Sequence, residues 1–461
     1  MRPTLNLLVC VLGLHVLIPT QTQAATDSGP SAIAATESPA QREARIAWWR
    51  EARFGLFIHW GLYAIPARGE WVQWSEQIPV EEYAKLADEF RPSQFNPDDW
   101  AATAKAAGMK YVVLTSRHHD GFALFDDPQS DFTSVKTAAH RDFVADYVKA
   151  VRAAGLRVGL YYSPLDWRFP GYIMPDVQRA SAEAMRAQYH RQMHELLSNY
   201  GKLDLLWFDG GETDWLSFGG DWKGPGWQKR PSDQHYRGGF SWQHEKVHEE
   251  LRRLQPDIVI NGRADMPEDF HSREGAGALG GYDSEHPWEL CLTLVEGPWG
   301  WQPDCKIRSL ETCVQFLVGA AGRDGNLLLN VGPRPDGRID PPQAQRLREI
   351  GEWLKLNGES VYGTRGGPYL PGTYGVSTRR ANIVYLHVLH WPTGKLVLPN
   401  LPARVLAASV LGGGEAKFNQ DGGRLELEMA PAQRREIDTI VKLQLDRAAG
   451  PLPVIEVPTA N

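Results

Sequence analysis

Between about residues 45 and 360, short apolar runs rich in Val, Ile, Leu, Tyr and Phe alternate with longer segments of helical period. That alternation is the mark of repeated βα units. It predicts strands over 55–59, 111–116, 158–163, 203–209, 258–261 and 326–331. Helices are predicted over 80–89, 97–107, 142–154, 177–199, 243–254, 310–320 and 342–357, several of them opened by start signals such as Asn96-Pro97 and Asp340-Pro341. Eight strands close a (β/α)8 barrel, and six are legible. The other two are assigned to the Gly- and Trp-rich stretches 215–239 and 264–301. Beyond residue 360 the pattern changes to alternating strands over 382–389, 395–397, 405–410 and 424–429, separated by Gly, Pro and Asn turns. The expected class is therefore α/β: a (β/α)8, TIM-like barrel over 45–360, followed by a C-terminal β-sandwich over 361–457.

Polar residues crowd at the carboxyl ends of the predicted strands, as in His59-Trp60-Gly61, Arg117-His118-His119-Asp120, Tyr161-Tyr162-Ser163, Asp209-Gly210-Gly211 and Asn261-Gly262-Arg263. In a βα barrel that rim carries the chemistry. The first 24 residues have an apolar stretch shorter than a bilayer span, ending in Thr22-Gln23-Ala24, and read as a signal peptide for export to the periplasm or outside the cell. Residues 25–44 read as a flexible leader, and no other segment is apolar enough for membrane insertion. Cys10 leaves with the signal, so Cys291, Cys305 and Cys313 remain and no disulfide scaffold is expected. With 49 Lys and Arg against 56 Asp and Glu, and no basic cluster, the chain is not built to hold nucleic acid.

Among the rim residues, Asp209 ends a buried strand and is followed by two glycines, which leaves a rigid carboxylate open to a ligand or a cap for the next loop. His59, His118 and His119 suit zinc, a polyol or the core. No His-Glu-x-x-His or paired-Cys spacing favours metal, and the surrounding Trp60, Trp71 and Trp74 form an aromatic wall rather than a charged cage. Aromatic faces beside fixed polar groups suit sugars. A glycosidase needs a second carboxyl, for which Glu70, Glu285 and Glu289 are the candidates.

The ordered blocks Phe57-Ile58-His59-Trp60-Gly61, Glu70-Trp71, His118-His119-Asp120-Gly121-Phe122, Tyr161-Tyr162-Ser163, Trp207-Phe208-Asp209-Gly210 and Asn330-Val331-Gly332-Pro333 resemble the α-L-fucosidases of glycoside hydrolase family 29. The resemblance implies a retaining, exo-acting hydrolase of terminal α-L-fucosyl linkages in oligosaccharides or glycoconjugates, needing neither cofactor nor metal. It places the nucleophile on Asp209 and sugar binding on His59, Glu70, Trp71, His118, His119, Tyr161 and Arg263. The acid/base falls on Glu285 first and Glu289 second. Two alternatives stand beside it: a fucose-binding, lectin-like relative without the acid, and a glycosidase of the same fold acting on a related sugar.

Overall fold

The computed structural model describes residues 37–210 and 240–458. Contacts divide the chain into Met1–Ser38 and Pro39–Asn461, and both barrel and sandwich lie in the second unit. Eight parallel strands make up the barrel: β1 (Phe54–Ile58), β2 (Tyr111–Arg117), β3 (Arg157–Tyr162), β4 (Leu205–Phe208), β5 (Val259–Ile260), β6 (His271–Glu274), β7 (Trp288–Thr293) and β8 (Asn326–Val331). Their order is β5-β4-β3-β2-β1-β8-β7-β6, and a parallel bridge between Asn261 and Phe270 joins β5 to β6, closing the ring. Strands buried on both faces explain the continuous apolar runs. Along β4, Leu206 and Phe208 pack outward under the helices, whereas Leu205 and Trp207 point into the barrel. Leu290 and Leu292 against Cys291 repeat the split on β7.

Helix starts follow their capping chemistry. Asn96 accepts from the Asp98 N–H before Pro97–Ala106, Asp142 from the Ala145 N–H before Phe143–Ala153, and Ser309 from the Thr312 N–H before Leu310–Gly322. The predicted helix over 80–89 is two short ones, Val80–Ala84 and Leu86–Glu89, meeting at Lys85.

Residues 39–44, expected in a flexible leader, instead open the helix Pro39–Ala52. Arg45 of this helix pairs with Asp269 at 2.7 Å, Trp49 stacks on Phe270 at 4.5 Å, and the Trp49 carbonyl accepts from Asn326 Nδ2 at 2.8 Å. The helix thereby plugs the end of the barrel where the strands begin. The expected signal peptide, residues 25–36 of the leader and the 215–239 stretch lie outside the described residues. The 264–301 stretch holds β6 and β7.

The sandwich has a five-stranded antiparallel sheet, including Gly375–Arg380, Ile383–Val388, Val405–Val410 and Thr439–Leu445, and a three-stranded one of Leu396–Pro399, Lys417–Asp421 and Arg424–Glu428. It has its own apolar core and is tied to the barrel by buried Asp324, which accepts from Arg53 at 2.6 Å, Arg365 Nε at 2.9 Å and the Gly366 N–H at 2.9 Å. Cys291, Cys305 and Cys313 are free thiols. No helix among the described residues is long and apolar enough to cross a membrane.

Candidate active site

A recess of about 400 Å³ opens at the carboxyl ends of the strands. Asp209, immediately after β4, lies in it. Its backbone N–H donates to the Tyr162 carbonyl, and Gly210 follows at φ 116°, where a side chain would strike Leu165. The amide of Asn261 both accepts from the Phe208 N–H at 2.7 Å and donates to the Phe208 carbonyl at 2.9 Å, with a further bond to Ser272 Oγ at 3.2 Å. One side chain so ties the ends of β4, β5 and β6 together beside Asp209.

The Asp209 carboxylate takes the Tyr161 hydroxyl on Oδ2 at 2.7 Å and Arg263 Nη1 on Oδ1 at 2.9 Å, with His119 Nε2 3.5 Å from Oδ2. Burial pushes its pKa up, but Arg263, His119 and Tyr161 outweigh burial and hold it below the ordinary Asp value. Asp209 is therefore ionised at neutral pH. The other Arg263 nitrogen, Nη2, donates to Glu274 Oε2 at 2.6 Å. Glu274 ends β6 and lines the same recess, its side chain 44% exposed at the mouth where Asp209 is 12% exposed. One guanidinium thus spans two carboxylates of unlike environment, and Arg263 itself lies 4.8 Å over the Trp207 ring.

The three histidines lie side by side in the recess. Burial lowers His59 and His119 to about 4, and His118 further. All three are neutral imidazoles between pH 5 and 8. Asn330 donates to the Trp299 carbonyl at 2.8 Å and accepts from His59 Nδ1 at 2.7 Å, which leaves His59 Nε2 as an acceptor. His119 Nδ1 meets Ser163 Oγ at 2.6 Å. His118 stacks on Tyr161 at 5.6 Å, its buried Nδ1 without a partner among the described residues. Trp71, Trp299, Phe57 and Trp207 supply the aromatic walls and floor.

The predicted carboxylates Glu70, Glu285 and Glu289 are not among the residues that line the recess. Glu70 is buried and accepts from the Gly300 N–H at 2.8 Å, so it joins the loop of Trp71 to the loop of Trp299, and burial together with the charge of Glu274 raises its pKa. Glu285 is exposed and three residues ahead of β7, at the opposite end of the strands from Asp209. Its N–H donates to Asp283, whose own N–H is bonded to the Arg323 carbonyl on the turn entering β8. The sequence reading put Glu285 over the barrel mouth because it missed β6 and β7: β6 carries the chain up to the mouth at Glu274, and residues 275–287 return it to the base, where β7 begins. Glu289 is fully buried inside the barrel beneath Trp207 and does not line the recess. Neither can reach a ligand held by Asp209. Glu274 was missed, although it carries the same signal as Asp209: a carboxylate at a strand end followed by a glycine of positive φ, here Gly275 at 84°.

His118, His119 and Asp209 offer ligand atoms within 4.8 Å of one another. The set suits a cation poorly, because both Asp209 oxygens already accept from protein donors and the Arg263 charge sits against one of them.

Comparison with known proteins agrees in every direction. The family model described as Alpha-L-fucosidase matches residues 20–359. Tissue alpha-L-fucosidase of Bos taurus is 31% identical over 377 residues, covering 75% of each chain. Among solved structures, alpha-L-fucosidase isoenzyme 1 from Paenibacillus thiaminolyticus superposes with a TM-score of 0.75 at 36% identity, over 88% of this chain and 99% of that one. A GH29 alpha-L-fucosidase from Bacteroides thetaiotaomicron, trapped as a covalent intermediate with 2-fluoro-fucosyl fluoride in a glutamate-to-glutamine mutant, gives 0.75 at 25% identity over 88% and 96%.

Proposed function

The chain belongs to the α-L-fucosidase family of glycoside hydrolases, and on that premise we propose that it is a retaining, exo-acting α-L-fucosidase with Asp209 as nucleophile and Glu274 as acid/base. The observation that carries this reading is the Arg263 guanidinium bonded to both carboxylates. It holds them within its own width and two hydrogen bonds, a spacing compatible with the roughly 5–5.5 Å of a double displacement. Asp209, ionised and buried, attacks the anomeric carbon as the bond to the leaving oxygen breaks. Glu274, at the open mouth where the aglycone departs, gives that oxygen its proton. A water entering by the same side then loses a proton to Glu274 and displaces Asp209, so the configuration is retained.

The neutral imidazoles of His59, His118 and His119 bond the sugar hydroxyls without adding positive charge near the oxocarbenium-like transition state. The aromatic walls of Trp71, Trp299 and Phe57 cover the sugar's apolar face. A recess floored by Trp207 and closed below by the barrel interior supports removal of a single terminal residue from an oligosaccharide or glycoconjugate. The signal-like first 24 residues support action outside the cytoplasm.

The test is hydrolysis of 4-nitrophenyl α-L-fucoside by the purified chain beside the α-L- and β-D-galactosides, with the first-formed anomer followed by proton NMR. The expected result is preference for the fucoside and α-fucose as first product. Binding of fucose without turnover returns the lectin-like reading, a galactoside preference changes the sugar, and β-fucose as first product overturns the double displacement.

A further inference from the structure

Beneath the recess the barrel interior holds an acid that the reaction does not use. Glu289 has no exposed surface and lies among Trp49, Phe57, Tyr111, Trp207 and Phe270. Its Oε2 accepts the Tyr111 hydroxyl and the Trp49 indole N–H, the latter at 3.3 Å, and its Oε1 accepts the Trp207 indole N–H at 3.3 Å. Among the described residues no basic side chain stands beside it; burying such a carboxyl is costly, and burial drives its pKa up to about 7. An aliphatic residue would fill the same space at lower cost.

What the acid holds is the floor of the site. The Trp207 ring lies 4.8 Å under the Arg263 guanidinium, nearly parallel to Tyr161 at 5.7 Å and 18°, and against Phe57 at 5.2 Å. Arg263 and Tyr161 both donate to Asp209. Ring packing alone constrains the tilt of an indole weakly, because its outer torsion is broad. A directed hydrogen bond at the ring edge sets that tilt, and catalytic groups tolerate displacement of only about 0.5 Å.

We propose that Glu289 is a positioning residue of the hydrolytic site: through its bond to the Trp207 indole it sets the surface on which Arg263 and Tyr161 rest, and so the placement of Asp209. The kinetic part of this proposal rests on the reading of the site as a fucosidase.

The test compares Glu289→Gln, Glu289→Leu, Trp207→Phe and the double variant Trp207→Phe/Glu289→Leu, each checked for folding by thermal melt. Gln keeps a carbonyl oxygen for the indole, so its kcat on 4-nitrophenyl α-L-fucoside should stay within about threefold of the parent, whereas Glu289→Leu should lower kcat about tenfold or more with KM little changed. In the Trp207→Phe background, where the ring remains and its N–H is gone, adding Glu289→Leu should cost less than about twofold further. Equal losses from Glu289→Leu in both backgrounds overturn the proposal. A parent inactive on the fucoside defeats the reading of the reaction instead. In that event the Trp207 indole ¹⁵N–H resonance, identified by its loss in Trp207→Phe, still decides: it should move in Glu289→Leu and hold in Glu289→Gln, and a resonance unmoved by Leu overturns the proposal.

Discussion

Replacing Glu289 by Gln should change how the stability of the protein depends on pH. Burial among aromatic rings raises this carboxyl from 4.5 to about 7 in the folded chain. Between those values the folded protein keeps a proton that the unfolded chain has already lost. The stability this proton contributes is complete below about pH 4.5 and falls away as pH rises through the folded value near 7. At about 1.4 kcal/mol per pKa unit the loss is about 3 kcal/mol. For a chain of this length that is a melting shift of about 3 °C. Gln does not titrate, so the melting temperature of Glu289→Gln relative to the parent should rise by about 3 °C from pH 4.5 to pH 8. Asp120, also buried and raised to about 6, titrates alike in both proteins and cancels in the difference. Paired scanning calorimetry at four or five pH values reads the effect. A difference that stays constant across the range would refute the assignment of Glu289 as a buried acid titrating near neutrality.

Arg263→Ala leaves Asp209 buried without its main opposing charge, so the acid limb of kcat/KM, set in the parent by a carboxyl held below the ordinary Asp value, should move up in pH; pH–rate profiles of the two proteins check it. Asp324→Ala strands Arg53 and Arg365 at the joint between barrel and sandwich and should cost about 3–5 kcal/mol in urea titrations at pH 7. Asp324 is held below the ordinary Asp value, because its arginine partners and the Gly366 N–H outweigh burial. Its contribution is therefore present above about pH 4 and lost as pH falls through its own lower pKa, so the gap between parent and variant should shrink in acid.

Legibility of the barrel strands tracked burial except at β7. β1 to β4 and β8 are apolar runs flanked by turn residues, and their predicted spans meet the observed ones to within two residues. β5, predicted over 258–261, is the two buried residues Val259–Ile260; β6 is His271-Ser272-Arg273-Glu274 with none of its positions buried, so neither periodicity nor hydropathy reveals it, and β7 went unread because Glu289 interrupts its apolar run. Overlooking β6 displaced the second carboxylate of the site, because the loop holding Glu285 then read as a rim loop. Asp209, the histidines, Tyr161 and Arg263 were recoverable because each follows or ends a legible strand. Glu289 had its own marker: a lone acid inside Trp288-Glu289-Leu290-Cys291-Leu292 belongs to a buried strand rather than to a loop.

Azide rescue tests the proposed pairing of Asp209 with Glu274 most directly. Initial rates on 4-nitrophenyl α-L-fucoside are taken for the parent, Asp209→Ala, Glu274→Ala and Glu285→Ala, each with and without added azide, a nucleophile that needs no general base. Loss of the nucleophile should abolish turnover, Glu274→Ala should lose most of its rate and regain part of it in azide as the fucosyl azide of retained configuration, and Glu285→Ala should match the parent. Rescue at Glu285 together with an unaffected Glu274→Ala would contradict the account.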